Sequence, residues 1–394
     1  MDSPFTLDPS WDFLNHGSFG ACPRVVQEEQ ASLRRRLEDQ PVRFLDNEYE
    51  ARLDGARQAL AAFVGADPEG LAFVPNATTG VNAVVRSYPL RAGDVVLVTD
   101  HAYNACRNAL DDAAERVGAR LSVARVPFPL KEPGEVLEAV LGAIVPGTRL
   151  ALIDHVTSPT GLVLPVADIV QALQSRGIDV LVDGAHAPGM VPLDLGALGA
   201  AYYTGNCHKW MCAPKGAAFL WVREDRRGAV RPVVVSHGAN SRRTDRSRFL
   251  LEFDWVGTGD PTAFLSVPAA IGCLGGLVPG GWPGLMRANR ALALRARDLL
   301  CRALEVPPPC PDSMIGTLAA VPLPDRPAGR GGRLPLGLDP LQEALEERAR
   351  IEVPILAWPA PPRRLLRVSA QVYNRETQYA RLAQVVRDFL AEGL

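Results

Sequence analysis

Residues 178–189 read IDVLVDGAHAPG, and a little further on 200–222 read AAYYTGNCHKWMCAPKGAAFLWV. The first stretch is a run of apolar residues that stops at Asp183. A strand with one face in water alternates apolar and polar residues, whereas an unbroken apolar run is buried on both faces, as in a parallel sheet. The second stretch sets a polar segment containing Lys209 between two more apolar runs. Outward from here, similar runs recur at Val95–Thr99, Leu150–Asp154 and Ala217–Val222, with polar or amphipathic segments between them. This alternation predicts an α/β fold: a mainly parallel sheet with helices on both faces. Such sheets bind ligands beyond the carboxyl ends of their strands, so the polar residues that end these runs are the candidates for chemistry.

The alternating pattern defines a large domain over residues 61–265. Residues 1–60 combine a Gly-rich turn, LNHGSFGACP (14–23), with a charged helical pattern, QEEQASLRRRLEDQ (27–40), and are expected to pack with the C-terminal part. Residues 266–394 read as a smaller α+β domain. It has helical patterns at 285–304 and 376–390, separated by a Pro/Gly-rich stretch from Val306 to Leu338 that reads as a loop.

Composition narrows the function. The 394 residues carry 42 Lys+Arg and 44 Asp+Glu, a net charge of -2, so there is no general attraction to nucleic acid or anionic membranes. Hydrophobic residues make up 47%, enough for a large core. The opening MDSPFTLDPSWDF lacks a basic start followed by an apolar stretch, and no apolar run is long enough to span a bilayer. Seven scattered cysteines argue against a disulfide framework, so a cytoplasmic protein is expected. The chain lacks the signatures G-x-x-x-x-G-K-[ST], H-E-x-x-H and G-x-S-x-G, and has no G-x-G-x-x-G after a strand. Cys207 and Cys212 have no second pair at zinc-site spacing, so no metal is expected.

Only three lysines occur, Lys131, Lys209 and Lys215, against 39 arginines. A mechanism that needs a primary amine must use one of these, because a guanidinium stays protonated and forms no imine. Asp183 before Gly184 fits a turn former as well as a ligand contact. A surface lysine is ordinarily a solvated charge, but Lys209 lies between His208 and Trp210 in a loop feeding a strand, where burial would lower its pKa. A strand-end aspartate followed about one βα unit later by His-Lys-Trp points to pyridoxal phosphate, with Lys209 as its amine and Asp183 on its ring nitrogen.

Eight strings carry a resemblance: LNHGSFGACP (14–23), PVRFL (41–45), PNATTGVNAV (75–84), TDHAYNA (99–105), VDGAHAPG (182–189), TGNCHKW (204–210), GTGD (257–260) and RVSAQVYN (367–374). On these the chain resembles fold-type I pyridoxal-phosphate enzymes of the class V aminotransferase family, in the isopenicillin N epimerase-like branch. The resemblance implies the type I PLP-dependent transferase fold, a homodimer and a set of roles. Thr78 and Thr79, at a helix start that also fits an ordinary Thr cap, would hold the cofactor phosphate. Thr204, Asn206 and His208 would contribute to the same contact. His101 would stack on the ring, with Tyr103 as the alternative, and His186 would touch the phenolic oxygen. Arg367 would grip the substrate carboxylate, with Asn15, His16 and Arg43 lining the site. Thr258 would reach the phosphate of the neighbouring subunit.

The resemblance implies the cofactor more firmly than the reaction. An amino-acid epimerase or racemase is the leading expectation, with Lys209 on one face of Cα and His101 or Tyr103 on the other. A C–S lyase or an aminotransferase is the alternative, and a colourless, cofactor-free binding protein is the third reading. Persulfide-forming desulfuration is disfavoured, because ARIEVPILAWPAPPRRLLR (349–367), the stretch before Arg367, contains no cysteine.

Overall fold

The computed structural model describes residues 3–326 and 338–394. In chain order its strands are β1 (Asp12–Phe13), β2 (Leu71–Val74), β3 (Val95–Thr99), β4 (Arg120–Ala124), β5 (Thr148–Asp154) and β6 (Asp179–Gly184). There follow β7 (Tyr202–Asn206), β8 (Ala218–Val222), β9 (Leu318–Leu323), β10 (Ile351–Glu352), β11 (Ile355–Ala357) and β12 (Arg364–Ser369). The main sheet has the order β2-β8-β7-β6-β5-β3-β4. Strands β3 to β7 pair in parallel, and β8 runs antiparallel to both neighbours.

The unbroken apolar runs explain the layers. Along β3, β5 and β6, successive residues serve opposite cores, as the two-residue period of a strand requires. Leu97, Ile153 and Val182 join one hydrophobic cluster; Val98, Leu152 and Leu181 join another. All six are buried, and burying such a side chain is worth about 1.5–3 kcal/mol. Helices Ala77–Ser87 and Asn104–Val117 contribute Val81, Val84 and Leu110 to the second cluster. Helix Val166–Gln174 brings Ile169, Val170 and Leu173 to the first.

Strands β11, β12 and β9 form an antiparallel sheet against which helix Gly281–Ala303 packs, with helix Glu376–Ala391 beside it. β1 pairs in parallel with β10 in a separate two-stranded sheet, which ties the start of the chain to its C-terminal part. The loop expected from Val306 to Leu338 is corrected in part: β9 lies inside it, and 327–337 fall outside the described residues. The physical reason is position. β9 is an edge strand paired only with β12, where the missing N–H of Pro322 is tolerated and the apolar LAAVPL run can be buried. Among the described residues no single helix is long and apolar enough to cross a membrane.

Gly20, in the Gly-rich turn, has φ +72°, and a Cβ there would lie 2.5 Å from the His208 carbonyl oxygen and 3.1 Å from that of Lys209. Gly20→Ala should therefore lower the unfolding free energy by about 2–3 kcal/mol. Gly55, inside helix Tyr49–Val64 with nothing near its absent Cβ, is the control. Gly55→Ala should stabilise by about 0.5–1 kcal/mol. Denaturant midpoints measure both, and equal midpoints for the two variants would contradict the packing described.

Candidate active site

Strands β5, β6 and β7 end side by side, and register pairs Asp154 with Asp183 and Asp183 with Thr204. Beyond this edge lies a cavity of about 580 Å³, lined by Thr78, Tyr103, Asp183, His186 and Lys209 among others. Asp183 is buried; its Oδ1 accepts from the backbone N–H of Ala185 at 2.9 Å and its Oδ2 from the Cys106 thiol at 3.1 Å.

Lys209 sits in the connection between β7 and β8, the one place where consecutive strands of the main sheet are antiparallel neighbours. The loop is tied at its base: the N–H groups of Cys207 and His208 donate to Ala217 O, and that of Ala213 donates to Cys207 O. Behind it, His16 is fully buried, with one ring nitrogen 3.1 Å from Lys209 O and the other 2.7 Å from the Tyr373 hydroxyl. Burial pushes the His16 pKa down to about 3, so the ring is neutral. His16 braces the loop and does not line the cavity, which corrects the expectation of a substrate contact.

The amine of Lys209 lies 3.0 Å from His186 Nε2, and Trp210 Nε1–H donates to His186 Nδ1 at 3.3 Å. With Nδ1 accepting and the ring neutral, the His186 proton is on Nε2, which donates to Lys209 Nζ when that amine is unprotonated. Burial, and then the charges of Lys209, Arg367 and His16, hold His186 well below the usual imidazole range. The Lys209 pKa is pushed down to about 8, first by burial and then by Arg367, against the opposing charge of Asp183. About a tenth of the amine is thus unprotonated at pH 7, far more than for a solvated lysine, and this is the nucleophilic form.

Arg367 lies on β12, the central strand of the smaller sheet, and is buried. Its Nη1 donates to Ser158 O at 2.5 Å and to Ser158 Oγ at 3.2 Å; its Nη2 donates to Ser18 Oγ at 3.1 Å; its Nε has no partner. No carboxylate pairs with it among the described residues. Burial pushes its pKa down to about 10. A buried guanidinium without a counter-ion is costly unless a ligand supplies the anion. Asn15 lies one step back, accepting from Ser18 Oγ at 2.6 Å.

At the other end of the cavity the first turn of helix Ala77–Ser87 presents Ala77, Thr78 and Thr79. Asn76 caps it, accepting from Thr79 N–H at 2.8 Å, and Asn206 Oδ1 accepts from Ala77 N–H at 2.9 Å. Asn206 and His208 line the cavity too. His208 donates Nδ1–H to Ala217 O at 2.8 Å, and burial lowers its pKa to about 4. Thr204 is placed differently from expectation: it is fully buried, its hydroxyl donates to Phe219 O at 2.8 Å, and it is a spacer beneath the helix. A Cβ at Gly80 would meet that hydroxyl at 2.3 Å, which fixes how closely the helix sits.

Of the two stacking candidates, the structure brings Tyr103 to the cavity and not His101. His101 is buried with its ring nitrogens 2.8 Å from Thr160 Oγ1 and 3.1 Å from Val126 O, and its ring packs against Trp358. Thr258 lines an adjoining apolar cavity of about 300 Å³ that shares Thr79 and Val233 with the first. Arg43 stands on the surface, 3.5 Å from Glu48, outside both. Sequence reasoning missed Ser18, Ser158, Cys106 and Asp154. Only Asp154 had a legible signal, since ALIDH ends an apolar run as VLVDG does. Among the described residues no group of three or more His, Cys, Asp or Glu side chains is placed to hold a metal ion.

The family model described as aminotransferase class-V matches residues 13–249. The chain is 38% identical over 399 residues to isopenicillin N epimerase of Amycolatopsis lactamdurans, covering 97% of this chain and 96% of that protein. It is 30% identical over 411 residues to a probable chloroplastic L-cysteine desulfhydrase of Arabidopsis thaliana, covering 98% and 84%. A solved structure of a cystine C–S lyase with its product cysteine persulfide superposes with a TM-score of 0.80 at 24% identity, covering 96% of this chain and 98% of that one.

The depressed lysine is directly testable. Borohydride-trapped modification of Lys209 by a small aldehyde, followed by peptide mass spectrometry, should speed up as pH rises, with a midpoint near 8. Arg367→Gln removes a positive neighbour, so the midpoint should move up by about half to one pH unit. A midpoint that stays put or falls would show that the guanidinium does not act on the amine.

Proposed function

We propose, from the premise that this chain belongs to the aminotransferase class-V family, that it is a pyridoxal-phosphate enzyme acting at Cα of an amino acid, with epimerisation of the isopenicillin N epimerase kind as its reaction. The observation that carries the reading is a buried guanidinium without a carboxylate partner, hydrogen-bonded to Ser18 and Ser158 in the wall of the cavity that a lysine of lowered pKa and a strand-end aspartate also line.

The residues present fit the cofactor. Lys209 offers the amine for its aldehyde and Asp183 a carboxylate for its ring nitrogen. The helix start at Thr78 and Thr79, with the Asn206 amide, offers donors for its phosphate, and neutral His208 lines the same end of the cavity. Bound there, pyridoxal phosphate supplies a sink for the electron pair left when a bond at Cα breaks. Arg367, with Ser18 and Ser158 fixing its plane, orients the substrate carboxylate. Epimerisation needs a proton group on each face of Cα, and the two cavity-lining candidates are the Lys209 amine and the Tyr103 hydroxyl.

The desulfhydrase relatives support a second reading, a C–S lyase, which expels a group from Cβ and needs no second base. A homodimer belongs to the same proposal. Val234 and Val235 are 55% and 68% exposed beside the cavity that holds Thr258, an apolar rim that a second copy would cover.

The test is incubation of the pyridoxal-phosphate-loaded protein with single amino acids in heavy water. An epimerase returns inverted product carrying deuterium at Cα; a lyase releases ammonia with a keto acid or a thiol. Tyr103→Phe should cut inversion by about 100-fold while borohydride still fixes the cofactor on Lys209. If inversion survives that change, Tyr103 is not the second base. A colourless protein with no adduct would refute the cofactor assignment itself.

A further inference from the structure

One acidic group in the cavity is left without a task by the chemistry above. Asp154 ends β5 as Asp183 ends β6, and the two are register partners on adjacent parallel strands. Their side chains therefore rise from the same face of the sheet, on strands about 4.8 Å apart. Both line the cavity and both are buried, at 2% and 3% exposure. Their surroundings differ. Each oxygen of Asp183 accepts from a donor, Ala185 N–H or the Cys106 thiol. The Oδ2 atom of Asp154 is buried without any partner. An ionised carboxylate in that position would be a buried charge with one oxygen unmatched, which costs more than a neutral acid.

Two carboxylates side by side in a dry site do not both ionise at neutral pH. The groups that act on Asp154 come from each element around it: Asp183 on β6, Cys106 on helix Asn104–Val117, and the backbone N–H of Tyr103. Burial and the charge of Asp183 hold the Asp154 carboxyl well above the usual carboxylate range, opposed by N–H groups of Asp154 itself and Tyr103.

We propose that Asp154 is a positioning residue that keeps its proton at working pH, leaving Asp183 as the single negative charge beneath the ring nitrogen of a bound cofactor. The part concerning the ring nitrogen rests on the function proposed above; the proton on Asp154 does not. No bond to the substrate changes at Asp154. Its effect is to hold the pair at one negative charge, so that Asp183 keeps a ring-nitrogen proton in place.

Asp154→Asn, a neutral group of the same shape, is the decisive variant. With the pyridoxal-phosphate-loaded protein, the midpoint of the visible-absorbance pH titration should stay within about 0.3 pH unit of wild type. An infrared difference spectrum, wild type minus Asp154→Asn, should contain a protonated-carboxyl stretch that persists from pH 6 to pH 9 (a range of roughly neutral conditions). A titration midpoint about one pH unit or more lower, or an infrared difference with only an ionised-carboxylate band, overturns the proposal, since either means that the substitution removed a charge. The infrared measurement is also made on protein without cofactor. Failure of wild type to take up pyridoxal phosphate would therefore sink the functional reading and still leave the state of Asp154 decided.

Discussion

The organising constraint is the burial of two cationic groups, Lys209 in the cavity and Arg367 behind its wall, near a carboxylate, Asp183, that is already engaged by its own donors. Each cation raises the cost of the other. The lysine answers by giving up its proton readily, which makes it a nucleophile. The arginine cannot do so within the physiological range and remains an unmatched charge that a substrate carboxylate can complete. The packing around them serves to keep this unfavourable arrangement from relaxing: His16 and Gly20 behind the lysine loop, Ser18 and Ser158 on the guanidinium.

Three remote parts of the chain meet here. Lys209 and Asp183 belong to the main sheet, Arg367 to the smaller sheet, and Ser18 to the N-terminal turn, which is joined to the C-terminal part through β1 and β10. The substrate end of the cavity is thus built across the seam between the sheets. The opposite end, at helix Ala77–Ser87, is built wholly on the main sheet and its helices.

Much of this was legible before any coordinates, and the pattern of misses is physical. The sheet could be read because a strand buried on both faces leaves an unbroken apolar run, and Lys209 because so few residues can offer an amine. Contacts made through hydroxyls could not be read: Ser18 and Ser158 matter through Arg367, which lies 349 and 209 residues away in the chain, and nothing local marks them. His101 and Tyr103 are two residues apart in a loop entering a helix, where no period says which side chain turns inward. The structure answers by burying the histidine against Trp358. β9 was hidden by composition, since a proline-rich stretch reads as loop unless the strand is known to lie on an edge.

The reversed strand β8 has a consequence of its own. Because the lysine-bearing connection joins two laterally bonded strands, with Asn206 opposite Ala218, both of its ends are fixed by the ladder. Changes in the cavity walls can therefore alter its shape while the reactive group stays anchored. Phe19, largely exposed at the cavity rim, is where a library of variants would explore new side-chain shapes without disturbing the anchored amine.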